Sequence, residues 1–436
     1  MECSQFCKYS WLDFFFTLLG VCTFLFDLGS DVWVAVEFFS RGDYVWFGAT
    51  VAIIVVSSAV VQTFSWLWYR YDRQLENFRA LTLTEDFLLR RCCLNLLHIF
   101  QLGLFMRYIM AIEQGFQVWW KRKQGSEYAV YKTHDLSMLR LFETFFESTP
   151  QLTLMLYIII RNNQASVVQF SLYPPHLPPG ISVAASTISI AWMVLEYHRS
   201  LRSFLPEKAK MGYSSSVVYF LWNLLLIAPR VAAVAVFTSV FPHYLVLHFL
   251  ALWLALFVWA WLQNTQFMDN APGEWLYRAA VAFIWYFSWF NVAEGKTRGR
   301  SIIYHSFMFV DSAILVATWG YYRDCVLTEA YAGPLVSVLP SAYLLGLLIK
   351  AFYYWFFHPR RWELLPQSGE DVPDTQAPSG KDDPDSQGDF RSMPVTPAPS
   401  HLQNRRMLNL AKNFYFAEPH PPCPSSANGT QQNHVI

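Results

Sequence analysis

Two carboxyl side chains and an amide recur at one helical spacing inside an apolar run. The stretch LRLFETFFESTPQLTLMLYIII, Leu139 to Ile160, carries Glu143, Glu147 and Gln151 four residues apart, with Arg140 just before them. Residues four apart share a helix face, so these form one polar stripe. A charged side chain near the centre of a bilayer costs about 2.5–3.5 kcal/mol on insertion scales, so such a stripe turns toward protein or water. Asp27 and Asp31 repeat the spacing in an earlier apolar run. Asp13, Glu196 and Asp311 complete the acids inside apolar segments, and Arg107, Arg140, Arg199 and Arg230 are the bases. Paired carboxylates suit general acid–base work, amine binding, or ion pairing with arginine. No nucleophile or cofactor motif accompanies them: GxxxxGK[ST], HExxH and GxSxG are all missing. An enzyme is therefore not expected, nor a cofactor. His98, His198 and His305 stand isolated and read as packing histidines rather than metal ligands. Two readings stay open: the charges pair to fix helix packing, or they line a polar track along which something hydrophilic moves.

The elements that position these residues are membrane helices. Of 436 residues, 54% are hydrophobic and only 15% charged, and apolar runs of span length recur along the chain. Net charge is zero, which gives no reason to expect a nucleic-acid partner. The seven cysteines show neither metal spacing nor a disulfide framework. Apolar segments are expected at 11–39, 44–69, 92–118, 136–161, 181–201, 213–241, 243–265, 276–292, 301–321 and 333–357. Basic connections stay cytoplasmic. These are YRYDRQLENFRALTLTEDFLLRR, KRKQ after Trp120, RSLRSFLPEKAK, EGKTRGR and HPRR. Basic loops flank both sides of the third segment, and the eighth segment is placed in the same way. Each therefore enters and returns, which predicts an all-α membrane protein with eight spans, two re-entrant helices and both termini cytoplasmic. The competing choice makes the fourth segment re-entrant, because Pro150 would break it.

Two pseudo-repeats are expected, 1–202 and 203–358. SDVWVAVEFFS aligns with PRVAAVAVFTS, setting Asp31 against Arg230, and FESTPQL aligns with VDSAILV, setting Glu147 against Asp311. Composition then changes. Residues 359–402 include a Pro-, Ser-, Asp- and Gly-rich linker that cannot bury enough apolar surface to fold. It holds DVPD before Thr375 and DDPD before Ser386, both patterns that an executioner caspase prefers, so Asp385 or Asp374 is the expected cut. At 403–416, Met407, Leu410 and Phe414 share a face edged by Arg405 and Arg406, a basic amphipathic helix suited to the cytoplasmic side of the bundle and able to hold it closed. Residues 417–436 read as a disordered end.

The motifs FDLGSDVW, LRLFETFFESTPQLTL, SSVVYFLWNLLLIAPRV, EWLYRAAVAFIWYFSWFNVAEGKTRGR and QNRRM together closely resemble the XK-related family, from about residue 10 to 416. The resemblance implies eight spanning helices with two further intramembrane helices in two structural repeats. It implies energy-independent, bidirectional phospholipid transfer that exposes phosphatidylserine on apoptotic cells. It implies a single-pass immunoglobulin-type partner, basigin or neuroplastin, for delivery to the plasma membrane. The family has one cleavage motif after the last helix, whereas this chain offers two candidates. A channel or small-solute transporter, or a non-transporting membrane scaffold, remains the alternative that the spans alone allow.

Overall fold

The computed structural model describes residues 11–74, 82–91, 94–120, 126–161, 179–203, 211–293 and 297–357. The described residues form no strand. Among the described residues thirteen α-helices follow in order: α1 Trp11–Ser40, α2 Tyr44–Asp72, α3 Leu83–Arg91, α4 Leu94–Ile99, α5 Gly103–Trp119, α6 Ser126–Glu143, α7 Thr149–Arg161, α8 Pro179–Ser203, α9 Tyr213–Val240, α10 Pro242–Leu262, α11 Ala271–Trp285, α12 Thr297–Tyr322 and α13 Cys325–Phe352.

Among the described residues six helices are long and apolar enough to cross a membrane: α1 from Asp13, α2, α9, α10, α12, and α13 with its continuation to Phe356. The stretch through α6 and α7 and the helix α8 are long as well, but they carry ionisable residues such as Arg140, Glu143, Glu196 and Arg199. Large apolar side chains face outward around the bundle, among them Phe26, Trp33, Leu247 and Ile303. A belt of this kind belongs against lipid. Helix α9 is the hub and packs against α7, α8, α12 and α13.

Pro150 does not end its helix. Residues 144–148 form one π-helical turn between α6 and α7, and Thr149 donates both its N–H and its hydroxyl to the carbonyl of Thr144. The wider turn takes up the proline's missing donor and lets the polar stripe continue through the break. The third expected segment is broken instead. α4 and α5 are separated at residues 100–102, where Gln101 adopts φ 65°. Gln62 of α2 fills the gap: its amide donates to the Gln101 carbonyl at 3.0 Å, and its Oε1 accepts from the Gly103 N–H at 3.0 Å. The eighth expected segment also stops short. α11 ends at Trp285, and the irregular residues after it give their carbonyls to side chains: Tyr286 to Arg230 Nε at 3.0 Å, Phe290 to Trp285 Nε1 at 2.9 Å.

Two expected connections prove helical. α6 begins at Ser126, ten residues before the expected segment, and α3 occupies the end of the basic stretch between α2 and α4. Both carry many charges, so an apolar scan passes over them. Asp374, Asp385, Arg405, Arg406, Met407, Leu410 and Phe414 lie outside the described residues.

Candidate intramembrane charge clusters

The expected charges separate into three groups. The first lies between α1, α5, α6 and α8. Arg140 Nη1 donates to Glu143 Oε2 at 2.6 Å, both side chains being buried. The Arg140 guanidinium stands 5.8 Å from the ring of Phe24, which in turn stacks on Tyr108 at 5.3 Å. Asp27, Glu143 and Glu196 are within electrostatic reach of the same Arg140. One turn further, Asp31 meets Glu147 and Gln151, with Ser57 of α2 beside Glu147. The i, i+4 registers of α1 and of the α6–α7 stripe thus face each other, as their spacing requires. Arg199 sits at the edge, donating to Ser216 Oγ at 3.4 Å. The group therefore sets five carboxylates, Asp27, Asp31, Glu143, Glu147 and Glu196, against two arginines, Arg140 and Arg199. Among the described residues no set of three or more His, Cys, Asp or Glu side chains has the geometry to hold a metal ion.

The second group is matched in charge. Arg230 of α9, 1% exposed, donates to Asp311 Oδ2 at 2.5 Å and to Ser312 Oγ at 3.1 Å, while its Nε takes the Tyr286 carbonyl. His248 of α10 bridges Asp311 Oδ1 and the Tyr286 hydroxyl, each at 3.0 Å. The guanidinium also lies over the Tyr286 ring, 4.8 Å from its centre. One arginine, one carboxylate and one imidazole tie α9, α10, α12 and the residue following α11 into a brace.

The third group removes Arg107 from the first. Arg107 donates to Asp135 Oδ2 at 3.2 Å and to Ser65 through both its Oγ and its carbonyl, at 2.7 and 2.8 Å. Nearby, Lys132 reaches Glu85 at 2.7 Å, and Thr82 caps α3 by accepting from the Glu85 N–H at 3.1 Å. Asp13 is not drawn into the first group either, since it precedes Asp27 by roughly 21 Å along α1 at 1.5 Å per residue.

Sequence reasoning missed Glu85, Lys132, Asp135 and Lys350 as buried partners, and His248 as a half-buried one. The pattern TLTE at 82–85 is a capping-box signature and could have marked the start of α3 by residue type alone. His248 carries no comparable signal, because its partners lie 38 and 63 residues away.

Comparison with known proteins follows the same span. A family model described as XK-related protein matches residues 15–359. A protein of Gasterosteus aculeatus named XK-related protein 8 is 53% identical over 423 residues, covering 96% of this chain and 100% of that one. One of the same name from Tetraodon nigroviridis is 54% identical over 423 residues, covering 96% and 99%. A third, from Pan troglodytes, is 42% identical over 412 residues, covering 92% and 94%.

Proposed function

This chain belongs to the XK-related family, and from that premise we propose that it is an energy-independent phospholipid scramblase of the plasma membrane, switched on by caspase cleavage of its tail. One observation carries the reading: the surplus of carboxylates in the first charge cluster. A brace needs matched charge, as Arg230 and Asp311 illustrate. Five carboxyl groups around two arginines exceed what pairing with arginine alone calls for, and the acceptors left over suit the amine of a headgroup such as that of phosphatidylserine.

A headgroup cannot cross hydrocarbon unaided, because its polar groups lose their water. A stripe of acceptors and donors one helical turn apart offers it successive partners while the acyl chains stay in lipid. Asp27, Asp31, Glu143, Glu147 and Glu196 take the amine in this scheme, and Arg140 and Arg199 take the phosphate. No step consumes energy, so lipid moves in both directions.

The proposed topology has eight spans, with the α4–α5 pair and α11 as the two re-entrant elements and both termini in the cytoplasm. At 1.5 Å per residue, the 17 residues of α5 and the 15 of α11 fall short of a hydrocarbon core about 30 Å thick. Irregular backbone at such depth is tolerated where side chains satisfy it, which is the part Gln62 and Arg230 play. Two pseudo-repeats fit the same picture, since each half closes its own pair at the aligned positions: Asp31 with Glu147, Arg230 with Asp311.

The switch lies in the tail. The amphipathic segment 403–416 docks on the cytoplasmic face, and cutting at Asp385 or Asp374 turns a tethered clamp into a free peptide whose effective concentration falls away. The single-pass immunoglobulin-type partner that the family resemblance implies accompanies the chain to the surface.

Reconstitution tests the transfer step. Protein truncated after Asp385 is placed in liposomes with a fluorescent phospholipid, and dithionite is added outside. Fluorescence from both leaflets is expected to be lost. Bleaching confined to the outer leaflet would rule out a scramblase and leave a small-solute transporter or a scaffold.

A further inference from the structure

The end of α2 and the start of α4 enclose an open cleft that the charge clusters do not use. Trp66 and Arg70 of α2, Arg73 and Gln74 just past its end, and Leu94 and Asn95 of α4 line it. About 560 Å³ lies open to the centre of a water-sized sphere, inside the roughly 300–1,000 Å³ range of small-ligand sites. Arg73 keeps helical backbone, φ −65° and ψ −21°, so Trp66, Arg70, Arg73 and Gln74 share one face. Leu94 gives the cleft an apolar floor, packed with Tyr69, Leu88 and Met110.

The polar walls are built to donate. The indole Nε1 of Trp66 donates to Asn95 Oδ1 at 2.8 Å, which leaves the Asn95 N–H groups for a ligand. The Arg70 guanidinium lies 5.2 Å from the centre of the Trp66 ring. Stacking of this kind occupies the flat face of a guanidinium and leaves its N–H edges available. Arg70 and Arg73 are exposed, and among the described residues no carboxylate pairs with either or lines the cleft. The carbonyl end of α2 offsets only about half of one charge. The remaining positive charge faces the cleft and solvent.

The proposed topology puts this end of α2 on the cytoplasmic side, where Trp66 stands at the depth of an interfacial anchor. Basic pockets between helices at that level attract the headgroups of anionic lipids. Phosphatidylserine fits poorly, because its amine would meet two guanidinium groups and no carboxylate. A headgroup with phosphomonoesters beyond its phosphodiester fits better. Arg70 and Arg73 stand one turn apart, so one can hold the phosphodiester and the other a phosphomonoester further out, while the acyl chains pass Trp66 into lipid. We propose that this cleft binds the headgroup of a polyphosphorylated inositol lipid of the cytoplasmic leaflet. The inference uses the proposed orientation of the chain but not its transfer of lipid.

The experiment uses the full-length protein in detergent at constant micelle concentration. Protein is titrated into fluorescent short-chain phosphatidylinositol 4,5-bisphosphate, and binding is read as anisotropy. Saturable binding is expected, with short-chain phosphatidylserine competing about tenfold less well or worse. Arg70→Gln with Arg73→Gln should weaken binding about thirtyfold at an unchanged melting midpoint, since both side chains are exposed. Asn95→Asp keeps the acceptor for Trp66 but adds a negative charge to the cleft, so it should weaken binding as well and carries the test if the double variant fails to fold. Arg298→Gln, an exposed arginine outside the cleft, should change nothing. Soluble inositol 1,4,5-trisphosphate should compete less well than the lipid, because it has no chains to place beside Trp66. Equal competition by phosphatidylserine, or binding indifferent to Arg70 and Arg73 and to Asn95→Asp, overturns the proposal. Competition by the trisphosphate as strong as by the lipid overturns it in favour of a soluble phosphate ligand. None of these failures would bear on the liposome assay of lipid transfer.

Discussion

The Arg230–Asp311 brace gives a sharp test of the view that the second cluster is structural. Asp311→Asn keeps the shape and one acceptor but removes the charge opposite a guanidinium that is 1% exposed. Breaking a buried pair from one side costs about 3–5 kcal/mol. The lower end, about 3 kcal/mol, is expected here, because Arg230 retains the Tyr286 carbonyl and the Ser312 hydroxyl. Arg230→Met strands Asp311 instead, but that side chain is 18% exposed and keeps His248 at 3.0 Å. Its cost is expected nearer to about 2 kcal/mol, reduced by solvent screening. If the two residues act only on each other, the double variant loses about what Arg230→Met alone loses, not the roughly 5 kcal/mol of the sum, a coupling of about 3 kcal/mol. Purified single and double variants are ranked by unfolding free energy in mixed micelles, and the survivors are assayed for lipid transfer per folded molecule. Transfer is expected to return in the double variant. Additive losses, or a double variant that folds but moves no lipid, would refute the assignment of this pair as a brace.

Three further outcomes are expected. Glu143→Gln should lower lipid transfer by about tenfold or more in the liposome assay while reducing the melting midpoint only modestly, because Arg140 retains Asp27 and Glu196 within reach; equal loss in both readouts would return the first cluster to a packing role. Gly103→Ala should destabilise strongly, since a Cβ there would collide with His98 and with the Gln62 carbonyl oxygen that holds the α4–α5 break, whereas Gly20→Ala, whose Cβ meets Tyr108 at 3.7 Å, should be silent in the same melt. Asp374→Ala with Asp385→Ala should abolish caspase-dependent phosphatidylserine exposure in cells; exposure at the wild-type level in the double variant would sink the tail switch.

Much of this arrangement is legible in the chain. Spacing alone puts Asp27 with Asp31 and Glu143 with Glu147 on common faces, and the structure turns those faces toward one another. Apolar runs locate α1, α2, α9, α10 and α12 to within a few residues. What escapes is long-range or locally charged. The α6 start at Ser126 is hidden because Lys132, His134 and Asp135 dilute the apolar signal, although all three are buried. Arg107 looks equivalent to Arg140 in sequence, but its partner is Asp135, and a single sequence holds no record of a pairing 28 residues apart. Pro150 argues for a helix end, and only the π-helical turn before it explains why the helix continues. Lys350 lies near the end of an expected span, where an exposed anchor would be ordinary, yet it is buried against Trp222.

The contrast between the two halves also bears on where lipid would travel. The second half spends its arginine on a carboxylate, a hydroxyl and a backbone carbonyl, and its aromatic residues close around that network: Trp285 stacks on Trp289 at 4.8 Å, and Trp289 lies 5.1 Å from Tyr304. Such packing resists rearrangement, because a dense interior has discrete arrangements rather than a continuum. The first half differs in kind. α1 lies on the outside of the bundle with most of its surface facing outward, and its acids meet a helix whose hydrogen bonding already departs from regularity at residues 144–148. Swinging α1 away would uncover Asp27 and Asp31 together with Glu143 and Glu147, at the cost of few aromatic contacts. Moving α9 would break the brace and most of the core with it. The structure makes α1 the easier wall to move, and a cross-link between α1 and α5 near Gly20 and Tyr108, where the two helices touch, should block transfer without unfolding the protein.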